Sequence, residues 1–120
     1  MVFNSSTIPI LWDEKKVHQG PEFEEKALGI IEHFAKRFDK HDPIRDIELH
    51  FNPIKNSAQK VKFYEIKLIV QLKNGQLLIV NVQNRDILFG MRKAISKIKR
   101  EAERSDRQKH ENHKKYFTNL

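Results

Sequence analysis

The sequence predicts an α+β fold of order β-α-β-β-β-α, with two helices packed on one face of a four-stranded, mainly antiparallel sheet. Three patterns lead there. Residues 22–40 and the stretch from Arg85 onward each carry a single apolar stripe at helical spacing. Residues 44–51, 61–72 and 76–83 alternate apolar with polar side chains, the mark of half-buried strands. Asn74-Gly75 separates the last two strands and is a strong hairpin signal. A helix with one apolar face must bury that face, so both helices are expected on the same side of the sheet.

In chain order, residues 1–6 read as a loose polar tail and residues 7–12 (T-I-P-I-L-W) as a first strand, with Pro9 favouring a sheet edge. Gly20-Pro21 breaks the chain before the first helix. Its stripe is Phe23, Ala27, Ile30, Ile31, Phe34 and Phe38. Glu22, Glu24 and Glu25 lie near the positive end of its dipole, and Lys36, Arg37 and Lys40 near the negative end. His41-Asp42-Pro43 turns the chain. The next strand directs Ile47, Leu49 and Phe51 inward, and residues 52–60 read as a polar loop.

The hairpin's loop length follows from the pattern. A two-residue loop would set Leu68 opposite Asn81. A three-residue loop of Lys73, Asn74 and Gly75, with Gly75 left-handed, sets Val70 opposite Leu78 and Leu68 opposite Val80. The latter is expected, because a one-residue slip flips a whole face. Ile69, Leu77 and Ile79 are left on the second sheet face; a homodimer through the sheet or a protein partner would use them, although scattered exposed aliphatics are ordinary. Asp86 is placed to cap the last helix, whose stripe is Ile87, Leu88, Met91, Ala94, Ile95, Ile98 and Ala102. The expected organisation is one domain over 1–120, with a folded core at 7–110 and flexible tails at 1–6 and 111–120.

Charge is unevenly distributed. The last helical stretch, residues 85–115, holds eleven Lys or Arg against five Asp or Glu, +6 of the chain's +7. A pI near 9.7 points to an anionic partner. The absence of cysteine excludes disulfides, thiolate zinc sites and a cysteine nucleophile. No signal-peptide pattern and no long apolar run are present, so a cytoplasmic protein without membrane association is expected.

With Met91 at the centre of the buried face, Lys93, Lys97, Arg100, Arg104 and Arg107 fall on the opposite side of the helix. Arg92 and Lys99 flank them. Ordinary solvated faces mix charge signs, because like charges at i, i+4 repel by a few tenths of a kcal/mol; this row contains no acid. It suits a phosphate backbone, while no row of exposed aromatics offers base stacking. On the first helix Lys26, Lys36, Arg37 and Lys40 share a flank with His33; taken alone, these suit dipole complementarity and solubility. The six histidines show no metal-ligand spacing and no glycine-rich phosphate loop is present. No catalytic residues, metal or cofactor are expected, and the chain does not read as an enzyme.

The element order and the segment L-K-N-G-Q-L-L-I-V-N-V-Q-N-R-D-I-L-F-G-M-R-K-A-I-S-K-I-K-R-E together resemble the short form of the bacterial ribosome hibernation-promoting factor and ribosome-associated inhibitor A family. Gly75, Asp86, Gly90, Met91, Ile95, Lys97, Ile98 and Arg100 take the places of the family's hairpin glycine, helix-opening acid and following helical residues. The likeness covers roughly residues 22–110. Leu88, Phe89, Arg92 and Ser96 depart from it, and residues 7–21 lack the family's Thr-Gly turn. The resemblance implies a fold like double-stranded-RNA-binding domains and binding to rRNA of the small ribosomal subunit in the mRNA and tRNA channel, with translation silenced under stress by occlusion. It makes Lys93, Lys97, Arg100, Arg104 and Arg107 the expected contacts, Lys26, Lys36, Arg37 and Lys40 a second row, and Arg92 and Lys99 weaker members. The competing readings are a general double-stranded RNA or DNA module, and a protein-interaction module using the second sheet face.

Overall fold

The computed structural model describes residues 2–5, 8–13, 20–58 and 60–118, with side chains described at 8–13, 20–58 and 60–104. In chain order it contains β1 (Val2–Ser5), β2 (Ile8–Asp13), α1 (Pro21–Asp39), β3 (Ile44–Lys55), β4 (Val61–Leu72), β5 (Leu77–Asn84) and α2 (Ile87–Thr118). From β2 to α2 this is the expected β-α-β-β-β-α order of an α+β fold. The strands lie in the spatial order β1-β2-β3-β4-β5. β2 and β3 are parallel, and every other neighbouring pair is antiparallel. Parallel neighbours need a crossover connection, and α1 supplies it.

The hairpin between β4 and β5 has the three-residue loop that the pattern requires. Val70 faces Leu78 and Leu68 faces Val80. Gly75 adopts φ 91°, a left-handed conformation open to glycine, and its N–H donates to the Leu72 carbonyl at 3.0 Å. The register carries apolar rows across the sheet: Ile10, Ile47, Val70 and Leu78 in one, Trp12, Leu49, Leu68 and Val80 in the next, then Phe51, Ile66 and Val82. All are buried. α1 lies against β1, β3 and α2, whereas α2 lies on β4 and β5. An aromatic cluster pins the start of α1, with Trp12 5.0 Å from Phe51 and Phe23 5.7 Å from Phe51 between ring centroids.

Four expectations change. The 1–6 segment is not a loose tail: Val2–Ser5 forms β1, pairing Val2 with Leu11 and Ser5 with Ile8, while Met1 and Ser6 lie outside the described residues. Val2 and Phe3 favour strand, and β2 offers an open ladder on the side away from β3. β2 is therefore not an edge, and Pro9 is tolerated because the parallel ladder to β3 begins one residue later, at Ile10. The 52–60 stretch is not all loop, since β3 continues through Pro53 to Lys55. The β2 ladder ends at the Asp13–His50 pair, so Pro53 sits where β3 has β4 alone as neighbour. Asn56 then makes the turn, its Oδ1 accepting from the N–H groups of Ala58 at 3.0 Å and Lys60 at 3.1 Å. Finally, helix α2 extends past residue 110 to Thr118, into the segment expected as a tail. No glycine or proline follows Gly90 to stop a helix already nucleated on the core.

At Gly90 the start of α2 leaves no room for a side chain above β4. A Cβ there would stand 2.4 Å from Ile66 Cδ1 and 3.2 Å from Asn84 Cβ, and Ile66 is completely buried. Gly29, in α1, has open space around its Cα. Thermal unfolding should separate the two: Gly90→Val destabilises by about 1–3 kcal/mol through overpacking, whereas Gly29→Ala stabilises by about 0.5–1 kcal/mol.

Candidate nucleic-acid interface

Asp86 fixes where α2 begins. Its Oδ1 accepts from the Phe89 N–H at 3.0 Å, its carbonyl from the Gly90 N–H at 2.9 Å, and its own N–H donates to Asn84 Oδ1 at 2.9 Å. The cap expected from the sequence is therefore formed. From that start the helical period does the rest. Ile87, Gly90, Met91, Ala94, Ile95, Ile98 and Ala102 are buried against the sheet, leaving Arg92, Lys93, Lys97, Lys99, Arg100 and Arg104 exposed. The side chain of Arg107 lies outside the described residues.

On α1, burial of Phe23, Ala27, Ile31, Phe34, Ala35 and Phe38 likewise leaves Lys26, Lys36, Arg37 and Lys40 exposed. The helices run side by side in the same direction. Lys26 near the start of α1 faces Leu88 and Arg92 near the start of α2, and Arg37 and Lys40 near the end of α1 face Lys99 and Glu103 further along α2. Packed helices keep their axes roughly 8–10 Å apart, so the cations flank a narrow, shallow groove.

The structure sorts the expected residues by position. Lys26 meets Arg92 across the groove with His33 beside them, over a floor that includes Ile30 and Leu88 and holds no acid. Arg37 and Lys40 meet Lys99, together with His41, Asp42 and Glu103. Arg92 and Lys99, the weaker members by sequence, are the described α2 cations that line these two sections together with α1. Among the described residues, Lys93, Lys97, Arg100 and Arg104 line neither section, and Lys36 stands apart as well. The four α2 cations occupy the outward crest, spread over about 17 Å of helix at 1.5 Å per residue. Arg104 makes an exposed i,i+3 ion pair with Glu101 at 3.6 Å, an interaction of small net worth. His33 and His41 are also groove residues: His33 lies on the flank of α1 that carries Lys26 and Arg37, and His41 in the turn that follows the helix.

Elsewhere, His50 stands between two carboxylates on the second sheet face, with Nδ1 3.3 Å from Asp13 Oδ2 and Nε2 3.3 Å from Glu48 Oε2. Those oxygens approach opposite ring nitrogens and do not converge on one point. Among the described residues no group of three or more His, Cys, Asp or Glu is arranged to hold a metal ion, and no helix is long and apolar enough to cross a membrane. Compared with known family models and with curated proteins, the sequence matches none.

Asp86 positions α2 through its cap, so Asp86→Ala should lower stability by about 1 kcal/mol. Chemical denaturation would show it as a lower midpoint at unchanged slope.

Proposed function

We infer that the chain binds RNA through its two-helix face, and that its target is rRNA of the small ribosomal subunit, where it silences idle ribosomes by occluding the mRNA and tRNA channel. The observation that carries the reading is the cationic face itself: an acid-free crest of Lys93, Lys97 and Arg100 beside a groove where Lys26 meets Arg92 and Arg37 and Lys40 meet Lys99. Like charges gathered on one face repel one another, and a phosphate backbone laid along them relieves that repulsion while releasing its own counterions. Binding rather than catalysis suits such a surface, and so does a cytoplasmic setting. The resemblance of residues 72–101 to ribosome hibernation factors selects the ribosome among polyanions.

A second reading has its own support. Leu11, Ile79 and Leu77 are exposed on the other sheet face, 37%, 50% and 53% accessible, beside half-buried Ile69. That face suits a protein partner or a second copy, with the basic helices as a solubilising surface.

Co-sedimentation with purified small subunits separates these readings. The double reversal Lys97→Glu with Arg100→Glu should abolish co-sedimentation at physiological salt, and Arg37→Glu with Lys99→Glu should weaken it strongly. Wild-type affinity should fall by orders of magnitude between 50 and 200 mM salt if six or more phosphates are contacted. Unchanged co-sedimentation of the first double variant refutes the ribosomal reading, and equal competition by free duplex RNA reduces it to a general duplex-binding module.

A further inference from the structure

Every cation–π contact among the described residues lies at one end of the molecule, where β4 begins and α2 starts. Lys62 Nζ and the Arg85 guanidinium stand 5.6 and 5.7 Å from the centroid of the Phe63 ring, and Lys93 Nζ stands 5.0 Å from that of Phe89. The two rings differ in what they leave free. Phe63 is half-buried and carries two cations. Phe89 is 49% exposed and carries one.

Phe89 breaks the pattern of its own helix. It is the third residue of α2, and by the helical period it points away from Met91, among the cations. A phenylalanine there buries nothing in the core, and a helix of this charge has no need of an apolar side chain on its crest. Local rules broken without a structural gain are expected at functional positions. Lys93, one turn further along, holds a cation over the ring, an interaction worth about 0.5–1 kcal/mol at exposed sites. That contact biases the ring towards one orientation and leaves the ammonium within a few ångströms of whatever stacks beside it.

We propose that Phe89 is a stacking platform for an unpaired nucleobase, with Lys93 on the adjacent phosphate, so that the two-helix face prefers RNA in which a duplex adjoins single-stranded nucleotides. This rests on the RNA-binding reading and adds to it the form of RNA recognised. Phosphate contacts along the groove and crest are indifferent to base pairing. A base can stack on a protein ring only when it has left its own stack, so this one aromatic converts a general polyanion surface into one that senses a junction. Stacking of this kind is tolerant of sequence, because every base has a π-face.

The test compares two synthetic RNAs by fluorescence anisotropy: a blunt duplex, and the same duplex with a short single-stranded overhang. Wild type should bind the overhang form more tightly. Phe89→Ala should lose roughly five- to hundredfold in affinity for that form, the range for one stacked base, and keep its affinity for the blunt duplex. Phe89→Trp should retain the preference. Because Phe89 is exposed, these variants should unfold at the wild-type temperature. If wild type binds neither RNA, the stacking role is overturned; if it also fails to co-sediment with small subunits, the RNA-binding reading falls with it. If wild type binds both and Phe89→Ala keeps the overhang preference or weakens both forms equally, the stacking role alone is overturned.

Discussion

Inside and outside in this fold are decided at the turn between β4 and β5. With Lys73, Asn74 and Gly75 in the loop, Val70 meets Leu78 and Leu68 meets Val80, and one face of the sheet becomes a continuous apolar floor. Both helices have a single stripe to bury, so both settle on that floor and are forced to lie side by side. Their cationic flanks meet because of this, and not because Lys, Arg and phosphate-binding chemistry drew them together. A slip of one residue at Gly75 would move Leu77 and Ile79 onto the floor and deprive α2 of its seat.

The helices then divide the charge into two kinds of surface. The groove has cations on both helices and a partly apolar floor, and it is open to solvent. The crest is open, and screening there is close to that of bulk solution, with a Debye length of about 8 Å at physiological ionic strength. The groove holds Lys26, Arg92, Arg37, Lys40 and Lys99, whereas Lys93, Lys97 and Arg100 stand on the crest. Gly90 sets how closely the start of α2 sits on β4, and hence the height of the crest above the floor.

Much of this was legible in the sequence wherever a side chain's period fixes its face. The stripes of both helices, the three-residue hairpin and the Asp86 cap all follow from spacing and turn chemistry. Three kinds of information were not. β1 is four residues long, with no pattern of its own beyond Val2 and Phe3, and it exists because β2 leaves a ladder open. Ile44 is buried with Ile47 although strict alternation would place them on opposite faces. The register shift between Ile44 and Asp46 puts an extra residue at Arg45 and restores both to the core, and a bulge leaves no mark that a period can show. The place of Arg92 and Lys99 in the groove depended on which side of α2 the first helix lies, a tertiary fact. Phe89 was visible as an oddity, but its exposure and its cation required the folded helix.

The common direction of α1 and α2 gives the face a polarity beyond its side chains. Antiparallel helices cancel most of each other's backbone field, whereas here two N-termini lie at the same end, each equivalent to roughly half a positive charge. That end carries Lys26, Arg92, Lys93 and the Phe89 ring, and with them Glu22, Glu24 and the capping Asp86. The field of the paired N-termini is thus met locally, at the start of each helix, by side-chain carboxylates.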